Sequence, residues 1–565
     1  MSVMRDTLFH GEPSDHFCNN RKVVIIGLDG ATFNLIEPMV KQQKLPFFQK
    51  LIGNGAFGKL KSVLPVNSAA SWGSLFTGAN PGKHNIYDYL YHRNSFAPAA
   101  LLKKADIKSP LIWEIASRRA LRTIAFNIPL AAQPEEINGY MVSGFLTPPD
   151  QPFAYPNSLY QLLKQSDYEI DCGPMTNGNA GSYFDKAVNL FERQFSSFFR
   201  LLREDDWQLA IATFNLLDRI QKYFWEDSAV VEAAYQKIDR KLAELDQYLG
   251  DQCHFILVSN HGFSAVSKKF FVNEWLYEQG LLDRRITTQK SLITDVDEII
   301  FNNNHHHEPS IAGLLTRFGI TKNRIRSLLP DVASEFLKKA IPSPIRRIFQ
   351  REYLDIRWQN TKAYFISENL QGININLMGR EPMGTVKPGK EYEKIRDRII
   401  SELYHLKDPY NFDHVVDDVY RKEDVFSGEY LNNAPDIIII PTQNKYTLDP
   451  GKRTSKLYIG TANDDYPVFC QRDSEGVFFI TGQDIQPGAE MNGVTIFDIM
   501  PTILSILSVE QPNHLDGRVL AEIFSGASVD QLRLDQPRFI PADDIKQLIN
   551  TDYFKNSAGA KPTFR

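Results

Sequence analysis

Six short apolar runs rich in β-branched residues set the main constraint on this chain. They are KVVIIGLDG (Lys22 to Gly30), TIAFNIP, LAIATFN, CHFILVSNHG, DIIIIP and GVFFITG. Continuous apolar character over five to seven residues marks a strand covered on both faces, as in a parallel sheet. Between the runs lie stretches of helical period such as SAVVEAAYQKIDRKLAELDQYL and EYEKIRDRIISELYHL. Strands alternating with helices predict an α/β fold with a doubly wound, mostly parallel central sheet flanked by helices.

The β-α rhythm breaks between residues 283 and 360. That segment holds NNNHHHEP and several prolines, and from Arg317 to Arg357 it carries ten Lys/Arg against four Asp/Glu. It is expected to be an inserted cap or lid. The expected organisation is therefore a flexible N-terminus over 1–20, a core built from 21–282 and 361–525, the insertion 283–360, and a C-terminal tail over 526–565.

Composition narrows the function classes. Hydrophobic residues make up 43% of 565, enough for a large core, and the formal net charge of −5 offers no general attraction for nucleic acid. The cysteines (Cys18, Cys172, Cys253, Cys470) are widely spaced and form no CxxC pair, which fits neither a disulfide framework nor a zinc ribbon. No apolar run reaches the length of a membrane span. The expectation is a cytoplasmic protein without a membrane span or nucleic-acid partner; the oligomeric state stays open.

In open α/β sheets, ligands bind beyond the carboxyl ends of the strands. Asp29 closes the first apolar run, Asp218 follows LAIATFN, and Asn260 and His261 close CHFILVS. Carboxylates and an imidazole at neighbouring strand ends can converge on a cation. A second feature is PVNSAASWGSLFTGANPGKHNI, where small residues surround Ser68 at the predicted start of a helix. A hydroxyl there sits where backbone N–H groups and the helix dipole favour an anion, although serine is also an ordinary helix cap.

Taken in order, VVIIGLDGATFNLIEPM, NSAASWGSLFTGANPGKH, FNLLDRIQKYFW, VSNHGFSAVSKKFFVNEWLYEQGLL, NNAPDIIII and GVTIFDIMPTILSILSVEQPNHLDGRVL resemble the alkaline phosphatase superfamily, in its type I phosphodiesterase/nucleotide pyrophosphatase branch. The resemblance implies a phosphoric-ester hydrolase with a Ser or Thr nucleophile, here Ser68, and two divalent metals, commonly zinc. It places Asp29, Ser68, Asp218, Asn260 and His261 at metal-binding positions. Three positions depart from the pattern. Lys222 stands where the His of D-x-x-x-H belongs, Asn260 where the Asp of S-D-H-G-F belongs, and Gln471 where the last His is expected.

A charged lysine has no lone pair to give a metal, and an amide is a poor substitute for imidazole. The expectation is a cofactor of one divalent ion at most, or none, with the Lys222 ammonium in part of the vacated space and available to stabilise phosphate oxygens. Three readings follow. The chain is a metal-dependent phosphodiesterase or phosphohydrolase acting on a small phosphate-containing anion, with Ser68 and Lys222 catalytic. Alternatively it is a pseudoenzyme that binds a ligand or partner, or a Ser-dependent group transferase.

Overall fold

Alternation along the strand Lys22–Leu28 (β1) sorts its side chains between two separate cores. Val23 and Ile25 face one hydrophobic cluster, and Val24, Ile26 and Leu28 face another. A strand with period-two side chains can do this only when helices cover both faces of its sheet. The computed structural model describes residues 21–91, 100–130, 133–148, 151–175, 179–287, 353–443, 445–451, 458–461 and 470–525.

The central sheet has eight further strands: Ala56–Lys61 (β2), Thr123–Ile128 (β3), Gly139–Ser143 (β4), Ala154–Tyr155 (β5), Leu209–Phe214 (β6), Cys253–Val258 (β7), Glu475–Thr481 (β8) and Ala489–Thr495 (β9). Their order is β9-β2-β8-β7-β1-β6-β3-β4-β5. The block β7-β1-β6-β3-β4 is wholly parallel. β8 runs antiparallel to both β7 and β2, and β5 antiparallel to β4. The expected doubly wound, mostly parallel sheet is therefore the observed one. β3, β6 and β7 are buried at every residue, which is why they are apolar without alternation.

One face is covered by the helices Ser68–Thr77 (α1) and Ile499–Ile506, the other by Phe33–Lys41, Tyr183–Glu204 and Ser228–Leu249. α1 is buried at all ten of its residues, SAASWGSLFT, so its small side chains are a packing requirement. It approaches β1 so closely that a Cβ on Gly27 would lie 2.4 Å from the Trp72 ring.

The described residues among 270–287, 353–451 and 458–459 contribute a second lobe with its own hydrophobic core. It contains an antiparallel four-stranded sheet (Ala363–Phe365, Gly372–Ile375, Ile437–Pro441, Val416–Arg421) and the helix Lys390–Tyr404. Asp436, fully buried there, accepts from Arg380, Lys422, Tyr392 and the Ile375 N–H. Within the expected insertion 283–360, the described residues Arg284–Thr287 and Tyr353–Ile356 form an antiparallel pair. Residues 288–352, and the expected N-terminal and C-terminal tails at 1–20 and 526–565, lie outside the described residues.

Candidate functional site

Three adjacent parallel strands, β7, β1 and β6, end side by side at the middle of the sheet. Asp29 follows β1 directly. Ser259, Asn260 and His261 follow β7. β6 leads through Asn215 into the helix Leu216–Phe224 (α2), which carries Asp218 in its first turn. Chain direction alone thus delivers two carboxylates, an amide and an imidazole to one edge. α1 brings its first residue, Ser68, to the same place. Its N-cap is Asn67, whose side chain accepts from Ala70 N–H at 2.9 Å and leaves the Ser68 hydroxyl available.

Ser68 Oγ lies 3.2 Å from Asp29 Oδ1 and 3.0 Å from His261 Nε2. His261 Nδ1 sits 2.9 Å from the Gly262 carbonyl. A carbonyl only accepts, so Nδ1 carries the proton and Nε2 presents a lone pair to the cluster. Burial opposes ionisation of Asp29, yet contact with His261, the charge of Arg472 and the Asn260 amide hold its carboxyl below the usual range. One ligand atom from each of Asp29, Asp218 and His261 falls within 4.8 Å of the others. Asp218 Oδ1 and both amide atoms of buried Asn260 make no hydrogen bond of good geometry, although the Asn260 amide is near enough to Asp29 to help lower its pKa. Under-satisfied buried donors and acceptors beside a compact O, O, N set fit a single divalent ion.

An arginine also lies across the cluster. The strand Cys470–Asp473 pairs antiparallel with Gly262–Ala265, setting Arg472 opposite Phe263 and Gln471 opposite Ser264. Arg472 Nε points at His261 Nε2 from 3.2 Å, Nη2 lies 3.5 Å from Asp218 Oδ1, and Nη1 lies 3.4 Å from Asn369 Oδ1. Burial works against its charge, but Asp218 and Asp29 more than offset this and raise its pKa above the ordinary arginine value.

The residues expected from sequence fall out as follows. Asp29, Ser68, Asp218, Asn260 and His261 are brought together. Lys222, expected as the intruding cation, is exposed, with its ammonium 5.7 Å from the centroid of the Tyr223 ring; the cation recorded against both Asp218 and His261 is Arg472. Gln471, expected at the last ligand position, is adjacent to Arg472 on a strand and so points to the opposite face.

Sequence reasoning also passed over Asp88, Tyr89 and Asn369. Asp88 is 4% exposed, Tyr89 is buried, and the Tyr89 hydroxyl has no hydrogen-bond partner. Burial raises the Tyr89 pKa well above the usual value, and the negative charge of Asp29 adds to it. The hydroxyl therefore stays protonated beside the cluster.

The family model described as type I phosphodiesterase / nucleotide pyrophosphatase matches residues 23–327, more than half of the chain. The chain belongs to the type I phosphodiesterase/nucleotide pyrophosphatase family. No curated protein matches it in sequence. Phosphonoacetate hydrolase from Sinorhizobium meliloti 1021, solved in complex with phosphonoformate, is similar in fold at 15% identity and a TM-score of 0.50, over 87% of this chain and 96% of that one. Human ectonucleotide pyrophosphatase / phosphodiesterase 5 aligns at 13% identity and a TM-score of 0.49, over 89% of this chain and 100% of that one. The match to the phosphodiesterase family spans β1, α1, α2 and the end of β7, the elements that carry all five clustered residues. Among the described residues no helix is long and apolar enough to cross a membrane.

Proposed function

We propose that this protein is a phosphoric-ester hydrolase in which Ser68 is the nucleophile and a guanidinium replaces one of two catalytic metals. The observation that carries the reading is the position of Ser68 Oγ at the start of α1, 3.0 Å from His261 and 3.2 Å from Asp29, with Arg472 alongside. The substrate is a small phosphate ester or diester.

Asp29, Asp218 and His261, with Ser68 and Asn260 beside them, would hold a single divalent ion, zinc by family habit. Such an ion lowers the pKa of a bound hydroxyl and polarises the phosphoryl group. Arg472 receives two phosphoryl oxygens on its planar donor fork. The α1 dipole adds positive potential where Ser68 meets the phosphorus. Ser68 gives its proton to an acceptor of the cluster as its oxygen bonds to phosphorus. The ester P–O bond breaks and the leaving oxygen takes up a proton. Water then cleaves the Ser68 phosphoester, releasing phosphate or a monoester and restoring the hydroxyl.

Ser68→Ala tests the reading on bis-p-nitrophenyl phosphate. The expected loss in kcat is at least about a thousandfold, as for removal of other covalent nucleophiles. An undiminished rate would overturn it.

A second reading, a pseudoenzyme that binds an anion without turning it over, is favoured by the same guanidinium, because Arg472 Nε occupies the lone-pair direction of His261 Nε2. Absence of any metal-stimulated turnover, with phosphate binding that disappears in Arg472→Ala, would select it. The free thiols Cys172, Cys253 and Cys470 support a reducing, cytosolic setting for either reading.

A further inference from the structure

A cavity of about 100 Å³ lies between the two lobes, walled by Asn85, Asp88 and Leu102 of the central lobe and by Tyr364, Asn374 and Asn433 of the second. Its lining mixes apolar side chains such as Leu90, Leu102 and Ile366 with polar groups. Asn85, Asn374 and Asn433 contribute amides and Tyr364 an aromatic face, and the charge of Arg380 is already engaged by Asp436. Asn374 Nδ2 makes no hydrogen bond.

Asp88 forms the inner wall, and its two oxygens differ. Oδ1 accepts from the Tyr89 N–H at 2.7 Å and faces the Asn369 amide at 3.5 Å. Oδ2, at the cavity wall, makes no hydrogen bond of good geometry, although the Leu90 N–H is near enough to help lower the Asp88 pKa. An unmatched buried carboxylate oxygen is costly, of the order of 1–3 kcal/mol or more, and calls for an occupant that supplies the missing donor. Burial pushes the Asp88 carboxyl up to about 7, against the pull of the Tyr89 N–H and of Arg472.

The cavity is coupled to the phosphoryl site. Asn369 spans from Asp88 to Arg472, donating its amide toward Asp88 Oδ1 and turning its oxygen to Nη1 at 3.4 Å. Asp88 is thus separated from the phosphoryl-binding arginine by a single side chain. Resting on the hydrolase reading, we infer that this cavity is the substrate's alcohol-side subsite and selects a neutral polyhydroxylated group, a sugar or polyol, with Asp88 Oδ2 and Asn374 as hydrogen-bond partners. An alkyl group there leaves both polar atoms unpaired, and a site built to bond hydroxyls rejects analogues that lack them.

The experiment compares p-nitrophenyl phosphodiesters bearing a glucosyl, glyceryl or hexyl group on the full chain. It is paired with saturation-transfer NMR using free glucose as the probe. The expected result is a KM at least about tenfold lower for the glucosyl and glyceryl esters than for the hexyl ester, the worth of one to two hydrogen bonds. Asp88→Leu and, on the opposite wall, Asn433→Leu should each erase that ratio and the glucose signal. The second variant keeps the test valid if the first fails to fold. Equal KM values for the glucosyl and hexyl esters, or a glucose signal unchanged in both variants, overturn the inference. If no ester is turned over while glucose binding is present and lost in the variants, the hydrolase reading falls and the polyol subsite stands.

Discussion

Arg472 Nε and His261 Nε2 are 3.2 Å apart, one a fixed donor and the other a lone pair aimed at it. The pair joins the two halves of the cluster, because the same guanidinium also lies 3.5 Å from Asp218. Arg472→Ala should lower kcat on bis-p-nitrophenyl phosphate by about a hundredfold to a thousandfold, the cost of losing a positioned charge donor. Arg472→Lys should recover only part of it, since an ammonium cannot reproduce a two-pronged contact. Steady-state kinetics check both, and a fully active Arg472→Ala enzyme would contradict the role given to the arginine.

Metal content is expected not to exceed one divalent ion per chain. Elemental analysis of purified protein and zinc titration of metal-stripped protein measure it. Asp29→Ala should abolish that site. Arg472→His removes a cation and adds an imidazole, and should raise the bound count above one. Two filled sites in the unaltered protein would be incompatible with the position of the guanidinium.

Asp88 makes stability depend on pH. Its carboxyl titrates near 7 when folded and near the ordinary 3.8 when unfolded. Between those values the folded chain keeps a proton that the unfolded chain has released, so this contribution is fully present below about pH 4 and is lost as pH rises through about 7. Asp88→Asn removes the penalty of ionising the buried group. The melting-temperature gain of the variant over the wild type should therefore grow between about pH 5 and pH 8. A constant difference across that range would count against the buried carboxyl as described.

Asp436 anchors the second lobe. Fully buried, it accepts from Arg380 at 2.6 and 2.8 Å and from Lys422 at 3.1 Å, and these partners hold its carboxyl down at about 2 despite burial. Asp436→Ala removes the carboxylate that Arg380 and Lys422 share and should destabilise the lobe by about 3–5 kcal/mol. Urea unfolding monitored by tryptophan fluorescence, with Trp275 and Trp358 in or against that core, would show an earlier transition. An unchanged midpoint would disprove the anchor role.

The sheet was legible because β1, β3, β6 and β7 are apolar at nearly every position, a pattern that two-sided burial imposes and a half-exposed strand does not show. The cluster was legible for a related reason. Asp29, Asp218, Asn260 and His261 interrupt those runs at their carboxyl ends, and Ser68 begins a stretch whose small residues the packing against Gly27 requires. Arg472 was not, because the strand that carries it, Cys470–Asp473, is only four residues long and has no apolar run to mark it. On a strand, a shift of one position exchanges faces, so aligning Gln471 with the site put the wrong neighbour inside. Lys222 misled for a different reason. Four residues from Asp218 on a helix is a contact spacing, but a long flexible stem lets the ammonium turn to other neighbours, here the Tyr223 ring. Asp88 and Tyr89 lacked any local sequence mark: Tyr89 is buried in the central core against Phe145, and Asp88 meets Asn369 from 281 residues further along the chain.

Among the cations that can face a phosphate, an arginine side chain differs from a bound ion in being covalently part of the polypeptide. Chelators cannot strip it, dilution cannot release it, and it keeps its proton at any pH the fold survives. The placement of Arg472 therefore gives this cleft a permanent pull on anions that is independent of the supply of trace elements around it.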